Sequence, residues 1–221
     1  MHNHQLISKK WGDNSPRKRK KKNEEDDAEE EEEEEKNCLI TREDNHIYFY
    51  DDINTKNILL LIKYIKELNV KLILLKTELD YKYDSSIDFY IYLHINSHGG
   101  YIMDGFAAID YIKKSRIPII SIVDGYAASA ATFLSIVCHK RQITSYSSML
   151  IHQLSSGISG TFQQIDDDHK NNLYLQNKIK KLYLDHSNIK LTNKLLTAIL
   201  KQDIIWDANK CKYYGLVDEI V

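Results

Sequence analysis

From residue 46 onward, apolar runs of strand length alternate with segments of helical period, and no other feature constrains the fold more. His46 to Tyr50, Phe89 to Ile95 and Ile117 to Val123 are short runs rich in β-branched and aromatic residues, which predicts strands. Ile58 to Leu68 and Met103 to Lys114 repeat apolar residues every three or four positions, which predicts helices. Asp52 to Asn54 offer an N-cap to the first of these. Residues 70–79 extend that helix or form a second one, and Asp80 to Ser86 is polar and loop-like. Continuous apolar strands joined through helices imply a parallel sheet covered on both faces, with right-handed crossovers.

The pattern continues with a small-residue helix over Ala127 to Val137 and short strands over Arg141 to Thr144 and Ser148 to Ile151. A long amphipathic helix is expected over Ile165 to His186 and another over Thr192 to Lys201. Asn209 to Tyr214 reads as a helix closed by Gly215, with a short strand following through Asp218.

Residues 1–37 are of another kind. Arg17 to Lys22 is wholly basic, and Glu24 to Glu35 is charged at every position but Ala28. Such density repels itself and offers nothing to bury, so a disordered tail is expected, followed by one folded domain over 38–221. The basic run fits a solvated, self-pairing tail, a nuclear localisation signal or a polyanion contact. The net charge of −2 argues neither for nor against nucleic acid, and no nucleic-acid partner is expected. Cys38, Cys138 and Cys211 are scattered and have no metal spacing, so neither a metal nor a disulfide framework is expected. No apolar run has the length of a membrane span, and a soluble, cytoplasmic protein is expected.

Chemistry concentrates at the ends of the strands. Asp124-Gly125-Tyr126-Ala127-Ala128-Ser129-Ala130-Ala131 follows an apolar strand and reads as a tight glycine turn into a helix. Such a turn exposes the Ser129 hydroxyl beside unpaired N–H groups, as a nucleophile and its oxyanion require. Its bland alternative is close helix–strand packing. Met149-Leu150-Ile151-His152-Gln153 brings a histidine to a strand end, and Asn96-Ser97-His98-Gly99-Gly100 brings paired glycines to another. Open α/β sheets bind ligands at such ends.

These segments, with Tyr214-Gly215-Leu216-Val217-Asp218, stand in the order and spacing of the Clp protease proteolytic subunit, ClpP, and the chain resembles that family from residue 46 to 221. The resemblance implies a ClpP/crotonase-like spiral of β-β-α units. It implies a serine endopeptidase with Ser129 as nucleophile, His152 as base and Asp203 as the third member, Asp207 being the near rival. Gly100 and Ala130 would supply the oxyanion N–H groups, and Gly99, Gln153 and Gly157 would contact substrate. Leu154 to Thr161 resembles the strand that pairs with extended substrate, and the helix from Ile165 the handle between rings. The resemblance further implies stacked heptameric rings of this chain, unfolded polypeptide substrates and a separate Clp unfoldase of the AAA+ class. No cofactor is implied, and the chain lacks the G-x-x-x-x-G-K-[S/T] phosphate loop.

The chain departs from the family in several places. His98 and Leu154 stand where proline is usual, Ala130 replaces methionine, and His94 replaces an aromatic residue of the ATPase dock. The loop His139 to Ser147 looks shortened, residues 70–88 look inserted, and no counterpart of the N-terminal axial loop is found. Gly125 to Ser129 is also similar to signal peptide peptidase of the SppA type, against which the His152 motif favours ClpP, and Ala127 to Ala131 is similar to viral or phage head-maturation proteases. An inactive ring subunit and a crotonase-like acyl-thioester enzyme are the remaining alternatives; a serine and a histidine together disfavour the latter.

Overall fold

The structure, a computed structural model, describes residues 39–83 and 88–221. The expected charged tail and Cys38 lie outside the described residues. Among those described, no helix is long and apolar enough to cross a membrane.

An eight-stranded sheet organises residues 39–221. Strands β1 (Ile40–Glu43) and β2 (His46–Phe49) form an antiparallel hairpin, and Asp44 takes the left-handed conformation at its turn. β2 then runs parallel to β3 (Ile91–Ser97), and β3 to β4 (Ile119–Ala128). β4 serves two neighbours. Ile120 to Val123 pair with β5 (Lys140–Ile143), and Tyr126 to Ala128 pair with β6 (Ser148–Leu150). β7 (Trp206–Asp207) is antiparallel to β6, and β8 (Glu219–Ile220) is parallel to β5. The sheet is therefore mixed rather than wholly parallel.

Helix α1 (Thr55–Tyr83) packs on α2 (Ile102–Lys113), and α2 packs on α3 (Ala131–Ile136). α4 (Phe162–His186), α5 (Asn193–Ile199) and α6 (Ala208–Tyr214) complete the chain. α1 is one continuous helix, with no break near Val70 and no loop beginning at Asp80. α4 starts earlier than apolar spacing suggests because Thr161 and Gln164 form a capping box.

Double coverage of the sheet is also corrected. Ile47, Phe49, Leu93, Ile95 and Val123 on one face are fully buried, whereas His46, Tyr48, Tyr92 and His94 on the other are only half-buried. The half-open face shields itself with stacked rings. His46 lies 4.6 Å from Tyr92 and Tyr48 lies 4.5 Å from His94, centroid to centroid.

The expected turn at Gly125 is the most instructive correction. β4 continues through it, with a register shift against β3 between Val123 and Ala127, and α3 begins at Ala131 rather than near Ala127. Gly125 is needed for close approach, since an added Cβ would lie 2.7 Å from the side chain of Asn96. The chain turns at Ser129 instead.

Candidate active site

Ser129 has a φ of 53°, a left-handed conformation that costs a non-glycine residue roughly 1–2 kcal/mol. Its N–H donates to Leu150 O at 2.8 Å, and its carbonyl accepts from Thr132 N–H at 3.1 Å. The elbow is thereby fixed from both sides, with the half-buried side chain directed to a cavity of about 200 Å³.

The same cavity is lined by Gly100, Ala130, His152 and Gln153, with Phe133 and Ile179 among its apolar walls. His152 arrives two residues past β6 and is 26% exposed. Its Nδ1 lies 3.0 Å from Asp203 Oδ1. A carboxylate can only accept, so in the neutral imidazole the hydrogen is on Nδ1 and Nε2 is left with its lone pair. Asp207 does not reach His152; it caps α6 by accepting from Lys210 N–H at 2.7 Å. Among the described residues, Ser129 Oγ makes no hydrogen bond to His152.

The paired glycines lie beside the elbow. Gly99 and Gly100 have φ of 97° and 148°, and Tyr101 N–H and Ile53 N–H bridge this turn to the start of α1. An added Cβ on Gly99 would sit 2.8 Å from Ser129 Cβ, and one on Gly100 only 2.2 Å from Ile53 O. Two crossing backbones thus occupy the space any side chain would need. Gly99 packs behind Ser129 rather than lining the cavity. Gly157 lies on the exposed segment after Gln153, with nothing within 4 Å of where its Cβ would be. That segment forms no strand, correcting the expectation for Leu154 to Thr161, because among the described residues no strand lies beside it. Leu154 N–H is taken instead by Gln176 Oε1 at 2.7 Å.

Other nucleophiles are poor competitors. Burial pushes the thiols of Cys138 and Cys211 up to about 12, leaving them protonated at neutral pH. Among the described residues no cluster of His, Cys, Asp and Glu could hold a metal. Sequence reasoning missed Thr132 and Tyr183, which stand directly behind the elbow; the spacing of Thr132 from Ser129, one helical turn, was the available signal.

A strand end, a strained serine elbow and the start of a helix thus meet His152 at one cavity of a mixed α/β sheet, with Asp203 on the far side of the imidazole. The model of the Clp protease family matches residues 41–221. The ATP-dependent Clp protease proteolytic subunit of Borrelia garinii subsp. bavariensis is 33% identical over 142 residues, covering 62% of this chain and 70% of that one. This chain belongs to the Clp protease family. It carries that family's ClpP fold and, as a member, is a peptidase.

Proposed function

We propose that this chain is a serine endopeptidase and the proteolytic ring subunit of an ATP-dependent protease. The observation that carries this reading is the meeting of the Ser129 elbow and His152 in one cavity, with Asp203 on His152 Nδ1. The Ser129 hydroxyl attacks the scissile carbonyl while its proton passes to His152 Nε2. The carbonyl oxygen becomes an oxyanion facing the N–H groups of Gly100 and Ala130. Collapse breaks the C–N bond, and the proton on His152 goes to the leaving amine. Water, deprotonated by His152, then hydrolyses the acyl ester and regenerates Ser129. Asp203 keeps the imidazole in the tautomer that the first step requires and stabilises the imidazolium.

Gln153 borders the cavity and, with the exposed segment at Gly157, suits the backbone of an extended, unfolded polypeptide. Stacked heptameric rings would enclose these sites. A separate Clp unfoldase would use ATP to feed them, in keeping with the name of the Borrelia relative. The test is labelling of the purified protein with a fluorophosphonate probe, beside Ser129→Ala and His152→Ala. Labelling of the wild type that is lost in both variants is expected. An unlabelled wild type that is folded and ring-assembled would point to an inactive ring subunit instead.

A further inference from the structure

Thr132 and Tyr183 play no part in the proton transfers above, yet both sit directly behind Ser129. Thr132 Oγ lies 2.6 Å from the Ser129 carbonyl oxygen and 2.6 Å from the Tyr183 hydroxyl. A threonine hydroxyl has one hydrogen, and a carbonyl can only accept. Thr132 therefore donates to Ser129, and Tyr183 donates to Thr132. Tyr183 comes from the long helix α4 and is 1% exposed. Burial holds its phenol well above the ordinary value, so it remains a donor at neutral pH. Its ring stands edge-on to Phe133 with centroids 6.1 Å apart, which fixes where its hydroxyl points.

The peptide linking Ser129 and Ala130 is a rigid trans plane, in which C=O and N–H point in opposite directions. Two donors, the N–H and the hydroxyl of Thr132, hold the carbonyl end of this plane. The other end is the Ala130 N–H, at the cavity wall. Because Ser129 is strained, the plane keeps this orientation only if something holds it.

We propose that Thr132 and Tyr183 are positioning residues, which aim the Ala130 N–H at the developing oxyanion by anchoring the Ser129 carbonyl. The proposal rests on the reading of Ser129 as nucleophile and Ala130 as oxyanion donor. A well-aimed oxyanion donor acts on the transition state more than on bound substrate. Loosening it should lower kcat and leave KM unchanged.

The experiment uses the full chain with a short fluorogenic peptide, and measures binding of the matching peptide boronic acid, whose serine adduct is tetrahedral and anionic. The variants are Thr132→Val, Thr132→Ser, Tyr183→Phe and the double variant Thr132→Val/Tyr183→Phe. Thr132→Val should lower kcat about tenfold, with KM changed by less than about twofold, as expected for one hydrogen bond felt in the transition state. Boronate affinity should fall in step with kcat. Thr132→Ser should restore both. Tyr183→Phe should lower kcat roughly threefold on its own, and add nothing to Thr132→Val, because the chain of bonds is already broken.

Wild-type kcat in folded, normally assembled Thr132→Val would overturn the proposal, as would a rise in KM at constant kcat or additive losses in the double variant. If Thr132→Val does not fold, Tyr183→Phe decides alone, since it keeps the ring and removes only the donor. Ser129→Ala separates the two levels. Activity retained in Ser129→Ala sinks the underlying reading, whereas an inactive Ser129→Ala beside unaffected Thr132→Val and Tyr183→Phe sinks only the positioning role.

Discussion

The N–H of Ser129 donates to the carbonyl of Leu150 across 2.8 Å, so the elbow and the strand that delivers His152 are joined through main chain. β6 in turn registers on the last residues of β4, with Leu150 opposite Ala128. The spacing between the proposed nucleophile and its base is therefore set by sheet register, and surface substitutions around the cavity should leave it intact.

Asp203 and Asp207 can be told apart by what each holds. Asp203→Asn should lower kcat roughly 10²- to 10⁴-fold by disturbing the histidine tautomer. Asp207→Ala should cost about 1 kcal/mol of stability through the lost α6 cap, with kcat nearly unchanged. Steady-state peptide hydrolysis and thermal unfolding on both variants check this, and the opposite pattern would transfer the role to Asp207.

The glycines should differ sharply. Gly100→Ala places a methyl on Ile53 O and combines a clash with a strained φ, so a loss of about 3 kcal/mol or more is expected. Gly157→Ala meets open space and should change stability by less than about 0.5 kcal/mol. Urea midpoints of the two variants test the contrast.

Arg141 locks the last strand to the body. It donates to Asp218 and to the carbonyls of His186 and Gly215. Arg141→Met should cost about 2–4 kcal/mol. Burial raises the Asp218 carboxyl, but the bonds and charge of Arg141 outweigh this and hold it below its ordinary value. A depressed carboxyl stabilises above its unfolded pKa and loses that contribution as pH falls through the folded value. Wild-type stability should thus decline below about pH 4, and Arg141→Met should lack that component. Urea titrations at several pH values read both effects.

The half-open sheet face should report on milder acid. His46 Nδ1 lies 2.9 Å from His94 Nε2, and His94 Nδ1 lies 2.6 Å from Asp124 Oδ2, which also accepts from Tyr50. Burial and then His94 lower the His46 pKa, against opposing pulls from Asp44 and Glu43. The unfolded chain therefore binds the extra proton first. Stability should be full above about pH 6.5 and fall as pH drops toward the folded value. His46→Asn should flatten that slope in melts between pH 7 and pH 5, and an unchanged slope would remove His46 as its source.

Much of this architecture was legible in the residues, because strand and helix periods differ and Gly215 marks a helix end as expected. The motif segments single out Ser129 and His152, and the family resemblance singles out Asp203, the three residues proposed to carry the chemistry. The location of the turn was not legible. Gly125 looks like a turn former, but its role depends on Asn96, 29 positions earlier in the chain, and no local pattern encodes that approach. Thr132 and Tyr183 were hidden for the same reason, being 51 residues apart and adjacent only after folding. The single-sided burial of the sheet was masked by tyrosine, which suits a strand whether its outer edge is dry or wet.

Helix α1 outreaches the layer it packs on. Its 29 residues span roughly 44 Å, yet its fully buried positions end at Leu72. The remaining turns expose Leu74 and Tyr81 and rely largely on their own backbone bonds. Amide hydrogens from Ile58 to Leu72 should therefore exchange with solvent only when the whole domain opens, and those from Lys76 to Lys82 through fraying of the end. One helix then carries two clocks, and the boundary between them marks where tertiary burial stops.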